Sequence, residues 1–126
     1  MPGASLDSWV LLSVLLCGTK GGTLRDIIAC GDYANHAVFP FKRLRDGLFA
    51  LQRAGLVLLS ERRYRAAPFA KRAWTAIQRK ERRLAKQWDS LDAWLSKRGP
   101  APRVAEHRRI SNENYDAAVK EYLDNF

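Results

Sequence analysis

One segment of the 126-residue chain has the pattern of a β-hairpin. It reads LVLLSERRYRAAP over 56–68, an apolar run followed by the charged turn ERR and a return through Tyr64. Three predicted helices precede it and a long one follows, so we expect a mainly α chain with one hairpin. The flanking segments decide whether the arginines at the turn contact a nucleic acid or are only solvated.

Two helices are predicted at the start of the chain. The first extends from a cap at Ser5 or Asp7 to about Cys17, and it is apolar on almost every side, as is typical of a central core helix. The glycine-rich loop GTKGG ends it. Thr23, with Asp26 three residues later, has the pattern of a capping box and starts the second helix.

The third helix, FKRLRDGLFALQRAG, has the clearest periodicity in this half of the chain. It follows Pro40 and a short strand predicted over 36–40, and Gly55 ends it. Its apolar residues recur at helical spacing and define one buried stripe: Phe41, Leu44, Leu48 and Leu51. The opposite side is predicted to carry Lys42, Arg43, Asp46, Ala50 and Arg53, with Arg45 and Phe49 at its margins.

One long helix is predicted over 69–97, with a length of about 40 Å at 1.5 Å per residue. Its apolar residues follow a seven-residue repeat and form an a/d seam, as in a coiled coil, which the charged Glu81 interrupts. The seam residues are Trp74, Ile77, Leu84, Trp88, Leu91 and Leu95. GPAP breaks this helix, and Ser111 starts a last helix. The inward residues of that last helix are predicted to be Tyr115, Val119, Tyr122 and Phe126.

The formal net charge of +9 is concentrated in one region. Residues 61–86 hold 10 basic and 2 acidic side chains, whereas residues 111–126 hold 1 basic and 4 acidic ones. A concentrated basic patch favours a polyanionic partner. Four members of this basic patch lie on the reverse face of the long helix: Arg72, Arg79, Arg83 and Lys86. They either widen the surface that contacts a nucleic acid such as DNA or form a solvated helix face.

The order helix, helix, helix, hairpin and long helix resembles a winged helix-turn-helix domain with a carboxy-terminal dimerisation helix. LRDGLFALQRAGLV is similar to the recognition helix and first wing strand of PadR-like and MarR-like transcriptional regulators. ERRYRAAPFAKRAW resembles their wing and the entry into the next helix.

This resemblance implies a mainly α fold: a winged helix-turn-helix (three helices plus a two-stranded β-hairpin wing), then a long C-terminal helix and a short final helix. We divide the chain into a winged helix-turn-helix domain (1–68), a long helix expected to dimerise (69–98), and a linker with a C-terminal helix (99–126). The seam would form the interface of a homodimer, or it would pack on the first and last helices of its own domain.

The resemblance further implies a sequence-specific transcriptional regulator that binds double-stranded DNA, with the third helix in the major groove and the wing on the phosphate backbone. The expected DNA-binding residues are Lys42, Arg43, Arg45, Arg53, Arg62, Arg63 and Arg65. The open alternatives are a winged-helix module that binds an acidic protein, and RNA binding.

Two cysteines and two histidines are the residues of this chain to consider for a disulfide or a metal site. Cys17 and Cys30 are expected to be buried thiols, with a disulfide as the open alternative. His36 and His107 lie far apart in sequence, so no metal site is predicted. Asp32, His36 and Cys30 fall within seven residues, but an ordinary polar loop is the favoured interpretation.

Other classes of function find little support in the sequence. No glycine-rich phosphate loop, no nucleophile beside a base and no paired carboxylates are recognisable, so we predict neither an enzyme nor a cofactor. The apolar run WVLLSVLLCG is too short to span a bilayer and has no basic flank, so a cytoplasmic location is expected. The sequence leaves a small-molecule effector, including one held between Trp74, Trp88 and Trp94, as an open question.

Overall fold

The structure, a computed structural model, describes residues 6–98 and 110–125. These residues form six helices and one hairpin, in the order α1 (Ser8–Leu16), α2 (Leu24–Asn35), α3 (Phe41–Arg53), β1 (Val57–Ser60), β2 (Arg63–Ala66), α4 (Pro68–Lys80), α5 (Leu84–Ser96) and α6 (Asn112–Asp124). The described part of the chain is mainly helical, with a two-stranded antiparallel hairpin after three helices. This arrangement is compatible with a winged helix.

Helix α1 lies at the centre of the core. All its residues from Trp9 to Leu15 are buried, the polar Ser13 among them, which confirms a central core helix that is apolar on almost every side. Asp7 caps it, because a carboxylate oxygen accepts hydrogen bonds from the amides of Trp9 and Val10. Helices α2, α3 and α5 and strand β2 all lie against α1.

The starts of α2 and α3 follow the local sequence signals. Thr23 and Asp26 form the predicted capping box, with N–O distances of 3.0 and 3.3 Å. Three of the four residues of the predicted α3 stripe, Leu44, Leu48 and Leu51, are buried, whereas Phe41 is half-buried against the core. Gly55, with a φ of 75°, follows the last turn of α3.

The short strand predicted over 36–40 is wrong, because this segment has no regular structure. His36 ends α2 in the left-handed conformation, with a φ of 53°. Phe39 then turns into the core, fully buried, with its ring centroid 3.8 Å from that of Trp9. The apolar residues in this segment therefore anchor the connection between α2 and α3 instead of pairing with a strand.

The hairpin packs one face on the core. Strands β1 and β2 pair antiparallel, with Leu59 opposite Tyr64 and Ser60 opposite Arg63. Tyr64 also exchanges two backbone hydrogen bonds, of 2.9 and 2.8 Å, with Gly22 in the loop before α2. The wing is therefore tied to the loop between α1 and α2 as well as to α3.

The prediction of one long helix over 69–97 is wrong. The helix ends at Lys80, and Glu81 and Arg83 have extended backbone conformations before α5 begins. The α5 helix folds back so that Trp94 lies beside Phe69, with ring centroids 6.3 Å apart. A straight helix would leave the seam exposed to water, whereas the break lets α5 bury Leu91 and Leu95 in the core.

Helix α6 packs along α2. Ser111 caps it, as predicted, by accepting a hydrogen bond from the amide of Asn114. The hydroxyl of Tyr115 donates to the Phe39 carbonyl, and the hydroxyl of Tyr122 donates to Asp32. The predicted inward residues Tyr115, Val119 and Tyr122 all pack against the core. Phe126 and the GPAP segment lie outside the described residues.

Candidate nucleic-acid interface

The wing presents three arginines to solvent. Along β2 the side chains alternate, so that Arg63 and Arg65 are exposed while Tyr64 and Ala66 are buried. Arg62 lies in the two-residue turn between the strands and is exposed as well. The period of two along a strand places Arg63 and Arg65 on the same, outer face of the hairpin.

These wing arginines keep their full positive charge available. Within 6–98 and 110–125, none of Arg62, Arg63 and Arg65 forms an ion pair with a carboxylate. The Arg63 guanidinium donates one long hydrogen bond, 3.4 Å, to the carbonyl of Gly21. An unpaired guanidinium on a fixed strand is well suited to bind a phosphate oxygen pair.

The basic residues of α3 differ from those of the wing. The Arg43 Nε lies 2.8 Å from a carboxylate oxygen of Asp7, and its guanidinium stacks over the Trp9 ring at 4.6 Å. The Arg45 Nε lies 2.8 Å from a carboxylate oxygen of Asp46. Two of the four predicted α3 cations are therefore already paired with an acid.

The other two predicted α3 cations, Lys42 and Arg53, are exposed. The Arg53 guanidinium lies 5.8 Å from the centroid of the Phe49 ring, and neither side chain forms an ion pair within the described ranges. Lys42 in the first turn of α3 and Arg53 in its last turn therefore carry the free positive charge of this helix.

Two further lysines lie beside the wing that the sequence interpretation did not assign to the site. Lys71 at the start of α4 donates from Nζ to the carbonyl of Thr19, at 3.0 Å. Lys20 is exposed in the same loop, between Thr19 and the Gly21 that Arg63 contacts. The one signal in the sequence was Lys20 in the glycine-rich segment GTKGG. This segment indicates an exposed loop but does not reveal that the loop lies beside the wing.

The predicted basic reverse face lies on two helices instead of one. Its members Arg72, Arg79, Arg83 and Lys86 are all exposed. Lys80 at the end of α4 and Arg82 in the turn after it are also exposed. Across the described ranges none of these six cations pairs with a carboxylate.

The residues of the predicted dimerisation seam pack against other residues of the same chain. Trp74, Leu91 and Leu95 are buried, and Ile77, Leu84 and Trp88 are half-buried. Trp88 donates from its indole nitrogen to the hydroxyl of Ser8, at 2.9 Å. The overhanging helix that suggested a dimer is not present. Homodimerisation stays a prediction, which the sedimentation velocity of the purified protein would test.

The three tryptophans that could have held an effector do not line one pocket. Trp74 borders a pocket of about 250 Å³ beside Leu15 and Thr19. Trp88 contacts the start of α1, and Trp94 lies against Phe69.

The polar residues of α2 point to different neighbours. Cys30 and Asp32 belong to α2, so the prediction of an ordinary loop is wrong for them. The Cys30 sulfur contacts that of Cys17, whereas Asp32 accepts a hydrogen bond from Tyr122. No group of three metal-ligating side chains occurs in the described ranges, and His107 lies outside them.

None of the described helices is long and apolar enough to cross a membrane. In comparisons with protein-family models, curated proteins and solved structures, no match to this chain is found.

Proposed function

We propose that this protein binds double-stranded DNA as a winged-helix transcriptional regulator. The observation that carries the proposal is the alternation in β2, which places Arg63 and Arg65 outward and holds Tyr64 in the core. With Arg62 at the turn, the wing offers three guanidinium groups that no carboxylate of the described ranges neutralises.

In this proposal the wing contacts the phosphate backbone and α3 enters the major groove. Tyr64 holds the wing on the core, and its two backbone hydrogen bonds to Gly22 fix the strand further. A wing that is already ordered loses little conformational entropy on binding. Lys42 and Arg53 are the α3 cations free to contact DNA, and Arg43 would exchange Asp7 for a phosphate.

The experiment is fluorescence anisotropy of the purified protein on a random-sequence duplex, across a salt series from about 50 to 200 mM. Wild type is compared with Arg62→Ala/Arg63→Ala/Arg65→Ala. Each lost phosphate contact lowers the slope of log affinity against log salt by about 0.9, so the triple variant is expected to lose about 2 to 3 in slope.

A control with the same change of charge is Arg79→Ala/Arg82→Ala/Arg83→Ala, on α4 and the turn after it. If the wing contacts DNA, this variant keeps most of the wild-type slope. Equal losses in both variants would show that the wing is not the preferred contact surface and would contradict the proposal. A wild type that does not bind at low salt would refute the proposal.

A second candidate function is the binding of an acidic protein. It is favoured by the pairing of Arg43 with Asp7 and of Arg45 with Asp46, which lowers the positive charge that α3 offers to DNA. Poly-glutamate, added as an unlabelled competitor at a matched charge concentration, distinguishes the two. Displacement of duplex DNA by poly-glutamate as effectively as by unlabelled duplex supports this second candidate.

A further inference from the structure

Two cysteine side chains meet where α1 and α2 face each other. Cys17 follows the last residue of α1, and Cys30 lies in α2. Their sulfur atoms are 3.7 Å apart, and the Cys17 thiol also lies 3.3 Å from the carbonyl oxygen of Ser13. Both residues are free thiols and half-buried, so neither residue is sealed inside the core.

The distance between the two sulfurs is short enough for a disulfide to form with little movement. A disulfide bond is about 2.05 Å long, so the sulfurs must approach by about 1.7 Å. Cys17 lies at the end of its helix, beside the loop 18–22, and not in the middle of a packed helix. Rotation of its side chain and a small shift of the loop can therefore supply the approach.

The two thiols are not equivalent. The hydrogen bond that the Cys17 thiol donates to the Cys30 sulfur lowers the pKa of Cys30. The same contact, together with burial, raises the pKa of Cys17. A thiolate is the nucleophile in disulfide exchange, so Cys30 is the attacking group and Cys17 the resolving group.

We propose that Cys17 and Cys30 form a redox-active dithiol, which a low-molecular-weight disulfide oxidises to an intramolecular disulfide that displaces the loop holding the wing. In the first step, the Cys30 thiolate attacks one sulfur of the oxidant, and one thiolate leaves. In the second, Cys17 loses its proton to solvent and attacks the Cys30 sulfur, and the second thiolate leaves. Both cysteines are oxidised, and the oxidant is reduced to two thiols.

The contact between Cys17 and Gly22 couples this site to the wing. A Cβ atom placed on Gly22 would lie 2.6 Å from the Cys17 sulfur, so the sulfur packs directly against the Gly22 backbone. Gly22 in turn exchanges two hydrogen bonds with Tyr64, between Arg63 and Arg65. When the Cys17 sulfur moves toward Cys30, it no longer packs against the Gly22 backbone. The two hydrogen bonds between Gly22 and Tyr64 are then weakened.

The chemical step is tested by incubating the full chain with excess oxidised glutathione. The expected product has lost two hydrogen atoms by mass and both thiols by labelling, and remains monomeric in non-reducing electrophoresis. Cys17→Ser and Cys30→Ala are expected to yield at most a mixed disulfide with glutathione. Two free thiols, a stable mixed disulfide on wild type, or disulfide-linked dimers as the main product would each overturn the proposal.

The coupling to the wing is tested by hydrogen exchange on the reduced and oxidised protein. The amides of Gly22 and Tyr64 are expected to exchange faster after oxidation, whereas those in the middle of α5 are unchanged. Unchanged exchange at both amides would refute the coupling even if the disulfide forms. These two readouts do not involve DNA, so they stand if the proposed function fails.

The effect on DNA affinity rests on the proposed function. Oxidised protein is expected to bind duplex DNA more weakly, and reduction with dithiothreitol is expected to restore binding. The control is Cys17→Ala/Cys30→Ala, which has no thiol left, so its affinity should not respond to either reagent. Equal affinities of the reduced and oxidised wild type would refute the regulatory role.

Discussion

Replacing Glu61 by Asn and Arg62 by Gly is expected to stabilise the protein and to weaken its binding to DNA. Both residues of the turn have positive φ angles, 51° for Glu61 and 65° for Arg62. A non-glycine residue in the left-handed region costs about 1 to 2 kcal/mol, and Asn-Gly is the preferred pair for such a two-residue turn. Glycine also loses more backbone entropy on folding, which offsets about 0.5 to 1 kcal/mol.

The net gain in the free energy of unfolding is therefore expected to be about 1 to 2 kcal/mol. With a urea m-value of about 2 kcal/mol per M, the unfolding midpoint rises by roughly 0.5 to 1 M. In the proposed DNA complex the loss of Arg62 removes one phosphate contact, so the salt slope of DNA binding should fall by about 0.9. Because the variant is more stable, weaker binding cannot result from unfolding.

Glu61→Asn alone serves as the control, because it relaxes the turn and keeps Arg62. It should raise the unfolding midpoint and leave the salt slope at the wild-type value or slightly above, since a carboxylate is lost. A double variant that is less stable than wild type would refute the reasoning about the turn. A double variant with an unchanged salt slope would show that Arg62 does not contact phosphate.

Three further predictions follow from the core, from the Asp7 cap and from the capping box. Leu91→Ala should lower the free energy of unfolding by about 2 to 5 kcal/mol in urea denaturation, because Leu91 is fully buried; a loss below about 1 kcal/mol would contradict the packing of α5 on the core. Asp7→Asn keeps a good helix cap but releases Arg43, so DNA affinity in the anisotropy assay should rise with little change in stability; unchanged affinity would exclude Arg43 from the interface. Burial raises the pKa of Asp26, but hydrogen bonds from Thr23 and a neighbouring arginine lower it on balance. A lowered folded-state pKa adds stability above the unfolded-state pKa, which is lost as the pH falls through the folded value. The difference in unfolding free energy between wild type and Asp26→Asn should therefore shrink below about pH 4, and a difference that stays constant down to about pH 3 would contradict this.

Local signals in the sequence predicted the first half of the fold well. The Thr23–Asp26 box, the apolar stripe of α3 and the hairpin after α3 each depend on residues a few positions apart. Capping, helical periodicity and strand formation depend on residues within that range, so the local sequence is enough to predict these elements. The turn was predicted to be ERR, whereas Arg63 belongs to β2 and lies opposite Ser60, so the turn has two residues.

Long-range packing decided what the sequence interpretation missed. A seven-residue repeat of apolar residues fits one straight helix as well as two shorter ones, and only burial of Leu91 and Leu95 in the core favours the break after Lys80. The ion pair between Arg43 and Asp7 joins residues 36 positions apart, which no local pattern reveals. The contact of Lys71 with the loop at Thr19 is equally remote in sequence.

The most direct test of the central claim is a chemical-shift titration of isotope-labelled protein with a short duplex. If the wing and α3 contact DNA, the largest amide shifts fall at residues 62–65 and at Lys42 and Arg53, while the amides of α6 change little. Shifts confined to the turn between α4 and α5, or the absence of any shift at low salt, would contradict the account.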